Sequence, residues 1–214
     1  MRAGRGAVID VRGLSHTYAD GTQALIGVSF RVAAGEVVSL TGPMGSGKST
    51  LLRHLNGLLR PSEGQVWIEG RDSSGLRVAQ LSRRVGVAFQ EPDHQLFKTS
   101  VRDEIAFAAA GRDRLELVLD WLGLRAVARR HPLDLGYSRR KLVAIAAVVA
   151  MGTPIVALDE PAAGQDRAGL ETLFSLLASL RKEGRTVVFA GHTRELSEVA
   201  DRRLRLDSGR LTCG

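Results

Sequence analysis

The sequence predicts an α/β fold, a parallel sheet covered by helices on both faces, and three observations predict it. A glycine-rich loop, residues 42–50, sits between an apolar β-prone run at 36–41 and a stretch of helical spacing at 49–55. The last third alternates buried strand-like runs with helical ones, the pattern of a buried parallel sheet. The first third holds short strand-like runs separated by Gly and Asp-Gly turns, which reads as an antiparallel β region.

Taken in order, the strand-like runs of the first third are 7–12, 28–32, 36–41 and 64–69, interrupted only by the helix after the glycine-rich loop. Residues 85–89 form a fifth strand ending at Gln90. The pattern then changes. Residues 101–110, 114–122 and 139–151 have helical spacing with no strand between them, so 91–142 reads as a helical insertion within a single domain of 214 residues. Its first helix has a start signal in Thr99 or Ser100, with Asp103 and Glu104 in the first turn. Alternation resumes with an apolar strand at 154–158 and a helix at 170–181. A buried strand at 186–190, a helix at 194–200 and a strand at 202–206 complete it.

Composition sets the outer limits. The chain is 44% hydrophobic and 25% charged, globular values, and long enough to bury a substantial core. Its one cysteine, Cys213, allows no intrachain disulfide, which fits a reducing compartment. Residues 1–10 lack the apolar core of a leader. The longest apolar run, 142–151, falls short of the roughly 20 residues that a membrane helix needs. The net charge of +7, nearly all from arginine, points to an anionic partner such as a nucleotide, lipid headgroups or nucleic acid. The basic clusters Arg83-Arg84, Arg129-Arg130, Arg139-Arg140-Lys141 and Arg202-Arg203 have no interleaved aromatics, so a nucleic-acid surface is not favoured. Most of them read as solvated faces.

The chemistry concentrates in a few motifs. Gly42-Pro43-Met44-Gly45-Ser46-Gly47-Lys48-Ser49-Thr50 has the G-x-x-x-x-G-K-S-T spacing of a phosphate-binding loop. Its glycines allow a tight turn that brings backbone N–H groups onto phosphates, and a helix N-terminus follows. Lys48 supplies a compact charge for the β- and γ-phosphates, and the Ser49 hydroxyl suits Mg²⁺. A strand ending in Asp159-Glu160 suits a carboxylate, Asp159, that works on Mg²⁺ with Ser49, and a general base, Glu160, for an attacking water. Read alone, that pair is equally a helix-capping acid pair. His192 follows the strand at 186–190; a lone histidine there is usually structural, yet strand ends along one edge are where α/β sites are built. The glycine-rich loop, Gln90, Glu160 and His192 each follow a strand, so they converge on one rim. Tyr18, with Gly21 in the turn after it, fits either core packing or stacking on a nucleobase.

Together these residues give the whole chain a resemblance to ATP-binding-cassette ATPases, P-loop NTPases with a RecA-like core, an N-terminal antiparallel β region and an inserted helical subdomain. The resemblance implies an aromatic loop at Tyr18, a Walker A loop at 42–50, a Q-loop at Gln90 and a signature region at 135–139. It further implies a Walker B strand ending at Asp159 and Glu160, a D-loop at Ala163-Gly164-Gln165-Asp166 and a switch histidine at His192. By it, Lys48, Gln90, Glu160 and His192 are catalytic. ATP is held by Tyr18, residues 42–50 and Asp159, with Asp166 contacting it across a dimer. Mg²⁺ is bound by Ser49, Gln90 and Asp159, in part through water. The run Phe89-Gln90-Glu91-Pro92-Asp93-His94-Gln95-Leu96-Phe97 is similar to the ATPases of energy-coupling-factor importers of vitamins and of cobalt or nickel. That likeness implies a second cassette subunit, a transmembrane coupling protein, a substrate-binding membrane subunit, no nucleic acid, and a peripheral place on the cytoplasmic face of the membrane. It makes His94 a contact to the membrane protein rather than a metal ligand.

One departure stands out. Where the family has L-S-G-G-Q, this chain has Leu135-Gly136-Tyr137-Ser138-Arg139. Gly136 brings no hydroxyl, Tyr137 places a ring close to where the family's backbone meets phosphate, and Arg139 adds a charge that partly replaces attraction for it. The expectation is an ATP hydrolase working in a heterodimer whose partner supplies a sound signature. The alternative is a nucleotide-binding regulatory subunit with little hydrolysis of its own; a soluble cassette acting on DNA or ribosomes is less consistent with the Q-loop run.

Overall fold

Two sheets divide the chain in a computed structural model that describes residues 6–212. Cys213, on which the cysteine reading rests, lies outside the described residues. Strands β1 (Ala7–Thr17) and β2 (Gln23–Ala33) pair antiparallel, and β3 (Val37–Thr41) leaves them to enter the second sheet. Helix α1 (Lys48–Leu55) follows the glycine-rich loop. Strands β4 (Glu63–Ile68) and β5 (Arg71–Asp72) then return to the first sheet, whose order is β2-β1-β4-β5. After α2 (Val78–Leu81) and β6 (Val85–Ala88) come three helices, α3 (Val101–Ala108), α4 (Arg112–Trp121) and α5 (Tyr137–Ala150). The chain then runs through β7 (Ile155–Asp159), α6 (Arg167–Lys182), β8 (Thr186–Ala190) and α7 (Arg194–Glu198) to the hairpin β9 (Arg202–Asp207) and β10 (Arg210–Thr212).

The second sheet has the order β10-β9-β3-β8-β7-β6 and is parallel except at its β9–β10 edge. Successive side chains of a strand point to opposite faces. Accordingly Val187 and Phe189 enter the core beneath α3–α6, while Val188 and Ala190 enter the core shared with α1 and the first sheet. In β7, Val156 and Leu158 face the first core and Ile155 and Ala157 the second. A sheet buried on both faces has no polar side, which is why these strands read as unbroken apolar runs.

The structure departs from the sequence expectation where a turn signal does not end a strand. β1 and β2 each span 11 residues. Gly13 (φ 58°) sits at a register shift between Val11 and Leu14, so the strand bulges and continues instead of stopping. β5 and β10, two and three residues long, are too short to show a period. Ser100 is the N-cap of α3, its Oγ accepting from Asp103 N at 3.1 Å. Glu104 does more than sit in the first turn: it is buried and accepts from Phe97 N (2.8 Å) and Lys98 N (2.7 Å), closing the preceding loop.

The reading of basic clusters as solvated faces needs one correction. Arg139 is exposed, but Lys141 is only 1% exposed. From Lys141 onward nearly every residue of α5 is buried, so a charge at that position has no solvent side. Elsewhere the clusters pair with acids, Arg84 with Glu69 and Arg202 with Glu36.

Helix α5 packs closely on β6 at Gly86. A Cβ there would lie 2.8 Å from Val148 Cγ1 and 3.1 Å from Thr153 Oγ1. Gly86→Val is expected to cost about 1–3 kcal/mol through overpacking, read as a lower urea midpoint of the full chain.

Candidate functional site

Because β3, β8, β7 and β6 are consecutive neighbours, the segments that leave their C-terminal ends meet on one rim. The glycine-rich loop leaves β3, His192 follows β8, Glu160 follows β7 and Gln90 follows β6. A cleft of about 600 Å³ lies along this rim. Tyr18, Met44, Gly45, Gly47, Lys48, Ser49, Thr50, Gln90, Glu160 and His192 all line it. Among the other expected residues, Ser46 and Asp159 are buried, Gly42 is half-buried and Pro43 is exposed, and none of the four lines the cleft. Asp166 is elsewhere: it caps α6, accepting from Gly169 N at 2.8 Å, and lines a second cleft with Gly136, Tyr137 and Ser138.

The loop is shaped by its neighbours as well as by its own sequence. Gly47, the N-cap of α1, has φ 101°, and a Cβ there would fall 2.4 Å from the Ala24 carbonyl oxygen. At Gly42 (φ 142°) a Cβ would fall 1.9 Å from the Leu206 carbonyl oxygen. Only glycine fits either position. The first amides of α1 have no partner within the helix, so the cleft ends on a set of N–H donors at a positive dipole end.

Three charged or titratable side chains meet at the centre. Lys48 Nζ donates to the Gly42 and Pro43 carbonyls, both at 2.9 Å, and lies 3.4 Å from His192 Nε2. The same His192 nitrogen is 3.3 Å from Glu160 Oε1. Glu160 has φ 47°, a left-handed conformation that is costly for a residue with a Cβ and that collects at functional sites. Its N–H donates to the Ala190 carbonyl at 2.9 Å, tying β7 to the end of β8.

Asp159 is buried next to this group. Burial pushes its carboxyl pKa up, opposed first by the Ser49 hydroxyl and then by Lys141, Arg53 and Lys48. Its Oδ1 is buried with no hydrogen-bond partner among the described residues. An ionised carboxylate oxygen only accepts, so this orphan fits a cation's ligand shell. No cluster of three or more His, Cys, Asp or Glu side chains suited to a metal occurs among the described residues.

At the far end of the cleft Tyr18 is half-buried, its hydroxyl 2.9 Å from Thr50 Oγ1. The ring combines packing against its neighbours with a place in the cleft wall. It lines the cleft and is backed edge-on by His16 at 4.7 Å, which packs in turn on His54 at 4.7 Å. Thr50 thereby serves the aromatic platform through its side chain.

Several site residues escaped the sequence reading. Thr22, Gln23 and Ala24 line the cleft without any motif to signal them, and Ala163 joins them from the run 163–166. Gln95 props the segment after β6: its Oε1 accepts from Phe89 N at 2.7 Å and its Nε2 donates to the Val87 carbonyl at 3.1 Å, as a neighbouring strand would. Asp93 pairs with Arg140 at 2.9 Å. At 135–139, Gly136 is the N-cap of α5, and a Cβ added to Gly164 would meet the Tyr137 ring at 2.7 Å.

Residues 25–163 match the family model described as ABC transporter. The energy-coupling factor transporter ATP-binding protein EcfA of Methanothermobacter thermautotrophicus is 39% identical over 95% of this chain and 69% of its own. EcfA2 of Acetivibrio thermocellus is 35% identical over 96% of this chain and 79% of its own. Among solved structures, cbiO1 of Clostridium perfringens, part of the ABC transporter complex cbiONQ, superposes with TM-score 0.84 at 32% identity, covering 97% of this chain and 87% of that one. A dimeric ATP-binding cassette in a post-hydrolysis state bound to ADP and Pi gives TM-score 0.87 at 27% identity, covering 96% and 97%.

The Tyr18 arrangement generates a test. Tyr18→Ala is expected to weaken binding of a fluorescent nucleoside triphosphate by about 1–3 kcal/mol, while Tyr18→Phe, which loses only the Thr50 bond, retains most of it.

Proposed function

The chain belongs to the ABC transporter ATPases, with the ATP-binding subunits of energy-coupling-factor transporters among its relatives, and we propose that it hydrolyses ATP to drive import of a micronutrient, a vitamin or a cobalt or nickel ion. The observation that carries the catalytic part is the convergence of Lys48, His192 and Glu160 within 3.3–3.4 Å contacts on the rim.

ATP places its base on Tyr18 and its phosphates in the loop at 42–50, above the α1 N-terminus. Lys48 exchanges its bonds to the Gly42 and Pro43 carbonyls for the β- and γ-phosphate oxygens. Glu160 orients a water and takes its proton as the water oxygen attacks the γ-phosphorus and the bond to ADP breaks. His192, adjacent to both Lys48 and Glu160, holds the γ-phosphate and the water in line. Ser49, Gln90 and Asp159 would hold Mg²⁺, in part through water; when bound, the ion neutralises the charge developing on the phosphates. The unpartnered Asp159 Oδ1 supports this assignment.

The partners follow from the faces around the cleft. Asp166 and the signature region face a second cassette subunit. Residues 91–142 act as the inserted helical unit that passes closure to a transmembrane coupling protein, which in turn works with a substrate-binding membrane subunit. Phe97 and Phe107, 63% and 64% exposed, stack edge-on at 5.0 Å beneath Lys98 and supply an apolar docking point beside exposed His94. No helix among the described residues is long and apolar enough to cross a membrane. The chain's likeness to ATP-binding subunits of transporters supports a peripheral place on the cytoplasmic face.

The altered signature supports a heterodimer with a paralogous cassette, because a homodimer would carry the alteration in both sites. A second reading, a regulatory cassette with little hydrolysis of its own, draws on the same observation, the Tyr137 ring packed over Gly164.

Two measurements decide. Glu160→Gln is expected to keep ATP binding and lose about 10²–10⁴-fold in hydrolysis; unchanged turnover would remove Glu160 from its role. ATP turnover of the purified chain alone is expected to be low and to rise with a paralogous partner. Brisk activity of the chain by itself would sink the heterodimer, and no activity with any partner would favour the regulatory reading.

A further inference from the structure

The first turns of α5 bond to their own chain. Tyr137 Oη donates to the Gln90 carbonyl at 3.5 Å. Ser138 Oγ donates to Gln165 Oε1 at 2.7 Å, and Gln165 Nε2 donates back to the Ser138 carbonyl at 3.0 Å. Arg140 pairs with Asp93. Lys141 Nζ donates to the Gln90 carbonyl at 2.6 Å and lies 5.9 Å from the centre of the Tyr137 ring. Two of these bonds fall on one main-chain oxygen, that of the residue leading out of β6 into the cleft.

Lys141 is the unusual member. It is 1% exposed, less than any other Lys, Arg, Asp or Glu among the described residues, and an unbroken apolar run, Leu142 to Ala150, follows it in α5. Burial pushes its pKa down, and Asp159, Glu91 and Glu160 oppose that shift. A buried ammonium that donates to a single neutral carbonyl is costly, and an apolar side chain of the same shape is commonly as stable or more so. Packing therefore does not explain a lysine here. Its position does: the charge stands between the Gln90 carbonyl and the acid pair at the end of β7.

We propose that Lys141 is a positioning residue that clamps the Gln90 carbonyl, fixing the direction in which the Gln90 side chain enters the nucleotide cleft and coupling α5 to the site in cis. In this chain the first turns of α5 form an internal brace, Lys141 and Arg140 to the segment after β6 and Ser138 to the segment after β7. The catalytic part of this inference rests on the proposed ATPase reading; the clamp itself does not.

The test uses the full chain, first without nucleotide. Lys141→Met keeps the shape and removes the donor. Amide exchange at Phe89 and Gln95, the hydrogen-bonded N–H groups that flank Gln90, is expected to rise ~10-fold in Lys141→Met, and likewise in Lys141→Gln, with the thermal midpoint unchanged or higher. Lys141→Arg, which keeps charge and donors, should stay within about threefold of wild type. Reconstituted with its membrane and cassette partners, Lys141→Met is expected to lose about 10–100-fold in kcat, with KM for ATP within about twofold. Unchanged exchange at Phe89 and Gln95 in both neutral variants overturns the clamp. So does increased exchange spread over all of α5 with a fallen midpoint, the mark of a merely structural role. A wild-type complex without ATPase activity would instead overturn the proposed function, while the exchange result still decides the clamp.

Discussion

Everything in the site depends on the pairing of β3 with β8. Those four residue pairs, Val37–Val187 to Leu40–Ala190, put the glycine-rich loop and His192 side by side, and the pairing of β8 with β7 adds Glu160 next to them. The contacts of Lys48, His192 and Glu160 span 144 and 32 positions of sequence, and nothing local holds them. Parallel pairing is expensive to assemble, since each strand must wait for its crossover, but it delivers successive strand ends to one edge. The left-handed turn at Glu160 is tolerated because β7 and β8, buried on both faces, leave its backbone no alternative; its own N–H is already committed to Ala190.

The cleft itself is graded. At one end a ring backed by two histidines offers an apolar face. At the centre sit a lysine, a histidine and a glutamate. Beneath them lies a buried aspartate with an unused oxygen. Each step from Tyr18 to Asp159 exchanges stacking for charge. A molecule with a flat base at one end and several negative charges at the other matches this order without rearrangement of the fold.

Much of this was legible in the sequence, and the parts that were not share a cause. The strand at 186–190 was read with its true limits because both ends carry clear signals, Gly184-Arg185 before and Gly191-His192 after. The rim was legible because each of its members follows an apolar run. What stayed hidden were effects of contact between distant segments. Gly13 and Gly27 look like turns in sequence but lie within strands whose neighbours tolerate a bulge. Lys141 looks like part of a basic surface cluster, and only the burial of α5 on almost every side turns it inward. Gln95 stands in a recognisable run, yet nothing in the run says that its amide would substitute for a missing strand. Tyr18 illustrates the limit well: its hydroxyl partner, Thr50, belongs to another motif altogether.

Gly42 carries a practical lesson. Its missing Cβ is demanded by the Leu206 carbonyl on β9, and that of Gly47 by the Ala24 carbonyl in β2. The glycine-rich loop is therefore wedged between β9 and the start of β2. A genetic screen for dead variants would recover changes at both glycines, and every one would be a misassembled molecule masquerading as a binding defect. Lys48 is different, for its bonds run only to loop carbonyls and His192. It is the position at which the cleft can be silenced while the scaffold stays whole.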